Sequence, residues 1–269
     1  MDNDDLPIGR ILTRREALAL LGVAGAGILA ACAPGQSAAT QATSVSTQAS
    51  ANNPTQAPTS APTQAATAAN TGALPACIVR PEVTEGPYYV DEDLNRSDIR
   101  SDPATGAVKD GALLALTFNV SQITNGGCIP LEGAKVEIWH CDAAGVYSDV
   151  SDPGFSTVGQ KFLRGHQVTD ANGQATFITI YPGWYSSRAV HIHFKVHHEA
   201  SGQGREFTSQ LFFDDSFSDK VLAQAPYAGK GQRDTLNSTD RIYDDQLLLA
   251  VAKTDQGYTA TFDIGLQMS

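Results

Sequence analysis

Ala189-Val190-His191-Ile192-His193-Phe194-Lys195-Val196 alternates between two kinds of side chain with a period of two, which is the pattern of a β-strand. Val190, Ile192, Phe194 and Val196 share one face and demand a core to cover them, while His191 and His193 project from the other face. Two imidazoles placed two residues apart on a strand can reach a single metal ion. Outward from this segment, residues 113–120, 134–140, 174–180, 207–213 and 258–264 are similarly rich in β-branched and aromatic residues. Between these runs lie turn signals such as Asn125-Gly126-Gly127, Ala143-Ala144-Gly145 and Asn172-Gly173. No long 3.6-residue periodicity and no internal repeat interrupts the series. The expected fold is therefore mainly β, a β-sandwich with long loops. Short helices are expected at 217–224 and 244–251, the second reading equally as a strand.

The first quarter of the 269-residue chain has a different composition. Arg10, Arg14 and Arg15 precede an uncharged run over 17–31, too short to span a bilayer comfortably, so 1–31 reads as an export signal. Thr13-Arg14-Arg15 ahead of Leu18 fits a twin-arginine signal, and equally the charged start of a general secretion signal. Leu29-Ala30-Ala31-Cys32 fits the box at which a bacterial lipoprotein is cut and lipidated, which makes Cys32 the expected lipid anchor to a membrane. Residues 32–72, mostly Ala, Thr, Gln, Ser, Pro and Asn with no charge and no aromatic, have nothing to build a core from and read as a tether. The folded domain is expected over 73–269. Its destination is the cell envelope or the exterior.

A net charge of −11 with scattered basic residues offers no stripe for a phosphate backbone, which excludes nucleic acid as a partner. With Cys32 assigned to the anchor, Cys77, Cys128 and Cys141 remain, an odd number for an oxidising compartment. A Cys77–Cys128 bridge is expected, tying the N-terminal arm of the domain to its body and leaving Cys141 unpaired at a strand end, although the count permits other pairings.

All six histidines fall between His140 and His198, and Tyr181-Pro182-Gly183-Trp184-Tyr185 precedes Arg188-Ala189-Val190-His191-Ile192-His193-Phe194. With Ile138-Trp139-His140-Cys141-Asp142-Ala143-Ala144-Gly145-Val146-Tyr147, Thr84-Glu85-Gly86-Pro87-Tyr88-Tyr89 and Thr208-Ser209-Gln210-Leu211-Phe212, the order and spacing resemble the intradiol ring-cleavage dioxygenases. The resemblance runs from about Thr84 to Phe213. It implies a sandwich of the intradiol dioxygenase type, an Fe(III) cofactor held by Tyr147, Tyr185, His191 and His193, and a catechol-type aromatic substrate opened with O2 to a muconate. It further implies that Arg188 stabilises negative charge on the ring and that Tyr185 is the ligand displaced by substrate. Gln210 either hydrogen-bonds the substrate or fills a strand position. Pro87 and Tyr88 either line the mouth or, for Tyr88 with Tyr89, pack as core aromatics. His166, His197 and His198 are not expected to be ligands.

The donor types fit that chemistry. Ferric iron is a hard acid that favours anionic oxygen, whereas a ferrous oxygenase is expected to show two histidines and one carboxylate. A cupin site also uses His-x-His, but needs a glutamate closer than Glu199 and a later histidine, and none follows His198. A zinc hydrolase would make unusual use of two tyrosines. A non-enzymatic alternative is a surface-displayed binding module, since sandwiches host many functions. The helical segment through which catechol-cleaving members dimerise is replaced here by signal and tether.

Overall fold

The computed structural model describes residues 78–125, 127–200 and 203–267, so the expectations for the export signal, Cys32, the tether and Cys77 lie outside the described residues. The strands are β1 (Leu113–Thr124), β2 (Gly127–Pro130), β3 (Lys135–Trp139), β4 (Ser151–Asp152), β5 (Phe155–Ser156), β6 (Arg164–Val168), β7 (Gln174–Ile180), β8 (His191–Ala200), β9 (Gln203–Phe213), β10 (Leu248–Leu249), β11 (Val251–Thr254) and β12 (Gly257–Gln267). Among the described residues one α-helix, α1 (Asp215–Leu222), follows β9 and is capped by the Asp214 side chain accepting from Phe217 N.

Two five-stranded sheets form the sandwich. In the first, β1 pairs in parallel with β12 and antiparallel with both β7 and β2, which share its other edge end to end. In the second, the order is β10-β9-β8-β3-β6. Alternation along β1 sends Leu114, Leu116, Phe118 and Val120 inward, where they meet Val136 and Ile138 of β3 and Ile192, Phe194 and Val196 of β8. Phe118 sits at the centre, with ring centroids 5.2 Å from Phe194, 6.0 Å from Phe262 and 6.1 Å from Phe177. Such a four-ring cluster ties both sheets together by area and by edge-to-face contact.

The outer face of the second sheet is not left to solvent. Residues 81–95 cross it, with Val83 N donating to Thr208 O, Ser209 Oγ to Pro81 O and His166 N to Leu94 O. His191, His193 and Lys195 on the polar row of β8 are thereby buried along with its apolar row, which is the feature that makes a site possible. Lys195 on that row lies over the Tyr89 ring at 4.2 Å and pairs with Glu85 and Glu206 at 2.7 and 2.9 Å.

Several expected boundaries move. The run at 113–120 extends to Thr124, the His-x-His strand begins at His191 and not at 189, and the final strand spans Gly257–Gln267. Segment 244–251 is neither a helix nor one strand: it forms a 3-10 turn, Asp245–Leu247, and then the short β10, with β11 beginning at its end. Strand β6 lies outside the expected strands, because Arg164-Gly165-His166-Gln167 carries no apolar alternation; it buries the polar side chains of Arg164 and His166 instead. Cys128 is disulfide-bonded and Cys141 is a buried free thiol.

Candidate active site

The site is assembled from the start of β8, the loop after β3 and the loop between β7 and β8. Asp142 organises the first loop, its Oδ1 accepting from Ala144 N and Val146 N at 3.0 Å each, while its own N donates to Val146 O. This turn delivers Tyr147. Gly145 stands at φ +79° with the Trp184 carbonyl where a Cβ would lie, so the two tyrosine-bearing loops touch backbone to backbone. Tyr185 comes from the second loop, whose Ser186 Oγ and Ser187 N both donate to Asp234.

The four expected ligands converge. Tyr147 Oη and Tyr185 Oη each lie 3.4 Å from His191 Nε2, and His193 Nε2 lies 3.0 Å from the same atom. His191 Nδ1 lies 2.7 Å from Ala189 O, so it is the protonated nitrogen and Nε2 presents its lone pair inward. One in-plane lone pair cannot accept from two phenols and an imidazole together. A cation shared by all four heavy atoms removes the conflict, and at the roughly 2.0–2.2 Å bond lengths typical of zinc with imidazole and oxygen donors, neighbouring ligands stand about 3 Å apart. The residues therefore fit a resident metal ion. Among the described residues no group of three or more His, Cys, Asp and Glu could hold one, which leaves the phenols as the donors that complete this site.

Burial sets the charge state. Tyr147, His191 and His193 are no more than 2% exposed. Burial raises the Tyr147 phenol well above its ordinary range, reinforced by Tyr185, and pushes Tyr185 up to about 12 against the pull of Arg188. Burial also drives both imidazoles well below their ordinary range, with Arg188 adding to the effect on His191 and His191 to that on His193. Without a cation the site holds neutral phenols and neutral imidazoles; a high positive charge is what would ionise the phenols here.

His193 is oriented by packing. Its ring stacks on Trp139 at 5.0 Å and 7°, and Gly86, at φ +71°, sits so close that an added Cβ would be 3.1 Å from His193 Cε1. Tyr88 stacks on Tyr147 at 4.5 Å and stands edge-on to Tyr185 at 5.8 Å, with its hydroxyl donating to Asp152 Oδ2 at 2.8 Å. Pro87 is exposed beside it. Arg188 is buried, its Nη2 donating to Gln210 Oε1 at 2.5 Å, and Gln210 Nε2 donates to Thr84 O at 2.9 Å. Gln210 thus supports Arg188 from the neighbouring strand, opposite His193 in the register of β8 and β9.

The remaining histidines stand apart from this cluster. His197 pairs with Glu206 at 3.4 Å, His166 faces Asp93 at 3.7 Å, and His140 bridges Cys141 O and Thr179 Oγ1. Cys141 lies 3.6 Å from Gly183 O, and burial followed by Asp142 pushes its thiol up to about 12. A protonated thiol is a poor rival for a hard cation. Sequence reasoning gave no role to Trp139, Gly86, Arg164 or Asp240. Arg164 is buried, donating through Nη2 to Tyr88 O at 2.7 Å and Ser148 O at 2.6 Å, so it braces the Tyr88 segment and the Tyr147-Ser148 loop at once. An arginine inside an otherwise apolar-poor strand gives no sign of this on its own.

Comparison with known proteins places these features in company. The family model described as Dioxygenase matches residues 84–268. The beta chain of protocatechuate 3,4-dioxygenase from Burkholderia cepacia is 32% identical over 149 residues, 52% of this chain and 60% of that one. An intradiol ring-cleavage dioxygenase from Tetranychus urticae superposes with a TM-score of 0.62 at 31% identity, covering 71% of this chain and 95% of that one. The dioxygenase domain of a carbohydrate-binding fusion from Streptomyces sp. SirexAA-E gives 0.51 at 26% identity, covering 71% and 100%. The chain spans about half the length of most of the curated relatives it matches.

Proposed function

The chain belongs to the intradiol ring-cleavage dioxygenase family, and from that premise we propose that it is a ferric enzyme that opens catechol-type rings between their two hydroxyl-bearing carbons, adding both atoms of O2 to give a muconate. The observation that carries this reading is the convergence of two phenols and an imidazole on the lone pair of His191 Nε2, at 3.0 to 3.4 Å. A bound ferric ion supplies the Lewis acidity that ionises phenols and catechol hydroxyls and makes the chelated ring electron-rich enough to react with O2.

The chain's own residues do the rest. Tyr147, His191 and His193 would hold the ion, all three buried, with His193 stacked on Trp139 and His191 fixed by the Ala189 carbonyl. Tyr185 Oη, ionised in the loaded site, would take one proton from an incoming catechol, the other going to a bound hydroxide, so that substrate enters a buried site without a change in net charge, which would be costly. Tyr88, stacked on Tyr147 and edge-on to Tyr185, packs against both phenols beside exposed Pro87. Arg188 presents a guanidinium to negative charge developing on the ring, in a dry and preorganised setting.

Purified protein supplied with Fe(III) is expected to be wine-red from phenolate-to-iron charge transfer, to shift its band with catechol under anaerobic conditions, and to consume O2 when air is admitted. Tyr147→Phe should lose colour and turnover while His197→Ala keeps both; the opposite pattern, or a colourless protein that takes up zinc but not ferric iron, sinks the assignment. Oxygen uptake measured across catechol, hydroxyquinol, protocatechuate and lignin-derived catechols identifies the substrate. We propose further that the enzyme is exported and displayed on the cell envelope through a lipidated Cys32. Among the described residues no helix is long and apolar enough to cross a membrane.

A further inference from the structure

Asp240 lies just past the 3-10 turn Asn237–Thr239, 52 positions beyond Arg188, yet its side chain, 1% exposed, is packed against that arginine. One carboxylate oxygen, Oδ2, accepts from Arg188 Nε at 3.0 Å and from Ala189 N at 2.8 Å. The other, Oδ1, accepts from Ile242 N at 2.9 Å. On the far side of the guanidinium, Nη2 is held by Gln210, itself tied to the Thr84 carbonyl. Ala189, whose N–H Asp240 accepts, contributes its own carbonyl, in the next peptide unit, to His191 Nδ1.

We propose that Asp240 is a positioning residue: it holds the Arg188 guanidinium by Nε, and the N–H of Ala189 beside it, so that the cation faces the ring-binding side before substrate arrives. This rests on the ring-cleavage reading of the site. An arginine side chain has several freely rotating bonds, and a buried guanidinium beside a bound metal ion would be repelled toward solvent. A buried carboxylate with every near donor satisfied opposes both tendencies, because it supplies a fixed acceptor and cancels the charge of the arginine. Preorganisation of this kind raises the rate of the chemical step and leaves ground-state binding largely alone.

The test is a cycle of Asp240→Ala, Arg188→Gln and the double variant, with Asp240→Asn as a milder fourth protein that keeps an acceptor oxygen. Expected is a fall in kcat of at least about tenfold for Asp240→Ala with KM within about threefold, and no further loss when Arg188 is already glutamine. In the metal-free protein, the Arg188 Nε–H resonance, assigned by its absence in Arg188→Gln, should be protected from exchange in wild type and become exchangeable in Asp240→Ala. If Asp240→Ala fails to fold, the same two readouts on Asp240→Asn and on the double variant decide. An unmoved Arg188 resonance, an equal loss in the Arg188→Gln background, or a variant that no longer takes up ferric iron overturns the proposal. Wild-type protein that neither colours nor consumes O2 would instead defeat the ring-cleavage reading, while the Arg188 resonance still reports whether Asp240 holds the guanidinium.

Discussion

His193 Nδ1 has no hydrogen-bond partner, so the aim of the ring depends on what touches it: the Trp139 face on one side and the bare Cα of Gly86 on the other. Gly86→Ala therefore tests two effects together. A Cβ at 3.1 Å from His193 Cε1 must push the imidazole, and φ +71° is costly for any L side chain. Unfolding should become easier by about 1–2 kcal/mol in urea titrations, and iron content per chain, measured by elemental analysis, should fall. Full iron occupancy with unchanged stability would show that the arm over β8 yields freely and that His193 is held by something else.

The strands give the site its support. Loops carry both tyrosines and are held by Asp142 and Asp234, whereas the two histidines sit on β8, paired along both edges with β3 and β9. Phe118 of β1 is the clearest probe of that support, being wholly buried and in contact with three aromatic rings from β7, β8 and β12. Phe118→Ala is expected to cost about 3–5 kcal/mol of stability, read from the urea midpoint, while the ferric band keeps its wavelength because no ligand is touched. A shifted band would mean that packing between the sheets reaches the ligand geometry.

For the molecule as a whole, pH and anchoring are the accessible variables. His140, between Cys141 O and Thr179 Oγ1, has its pKa lowered from 6.5 to about 4, chiefly by burial. Its folded value lies below its unfolded value, so its contribution is fully present above about 6.5 and is lost as pH falls toward 4, where the unfolded chain binds the proton first. Metal-free protein should thus lose stability across that window, and His140→Gln should flatten the slope; an unchanged slope assigns the loss to other groups. If Cys32 carries the lipid, Cys32→Ser should move the protein from the membrane fraction to the soluble one and abolish incorporation of labelled fatty acid, and a variant still membrane-bound and labelled removes Cys32 from that role. The β architecture was legible along the chain, because alternation on 189–196 is a local property of a linear pattern, and the four side chains that the fold brings together, Tyr147, Tyr185, His191 and His193, were named in advance through the resemblance of short local motifs. Asp240, Arg164, Gly86 and Trp139 were not, since each acts on a partner far away in sequence or through ring stacking, and no local periodicity encodes a contact made across an interior. Strand β6 escaped for the same cause: the arm laid over it, not its own composition, is what allows its polar side chains to be buried.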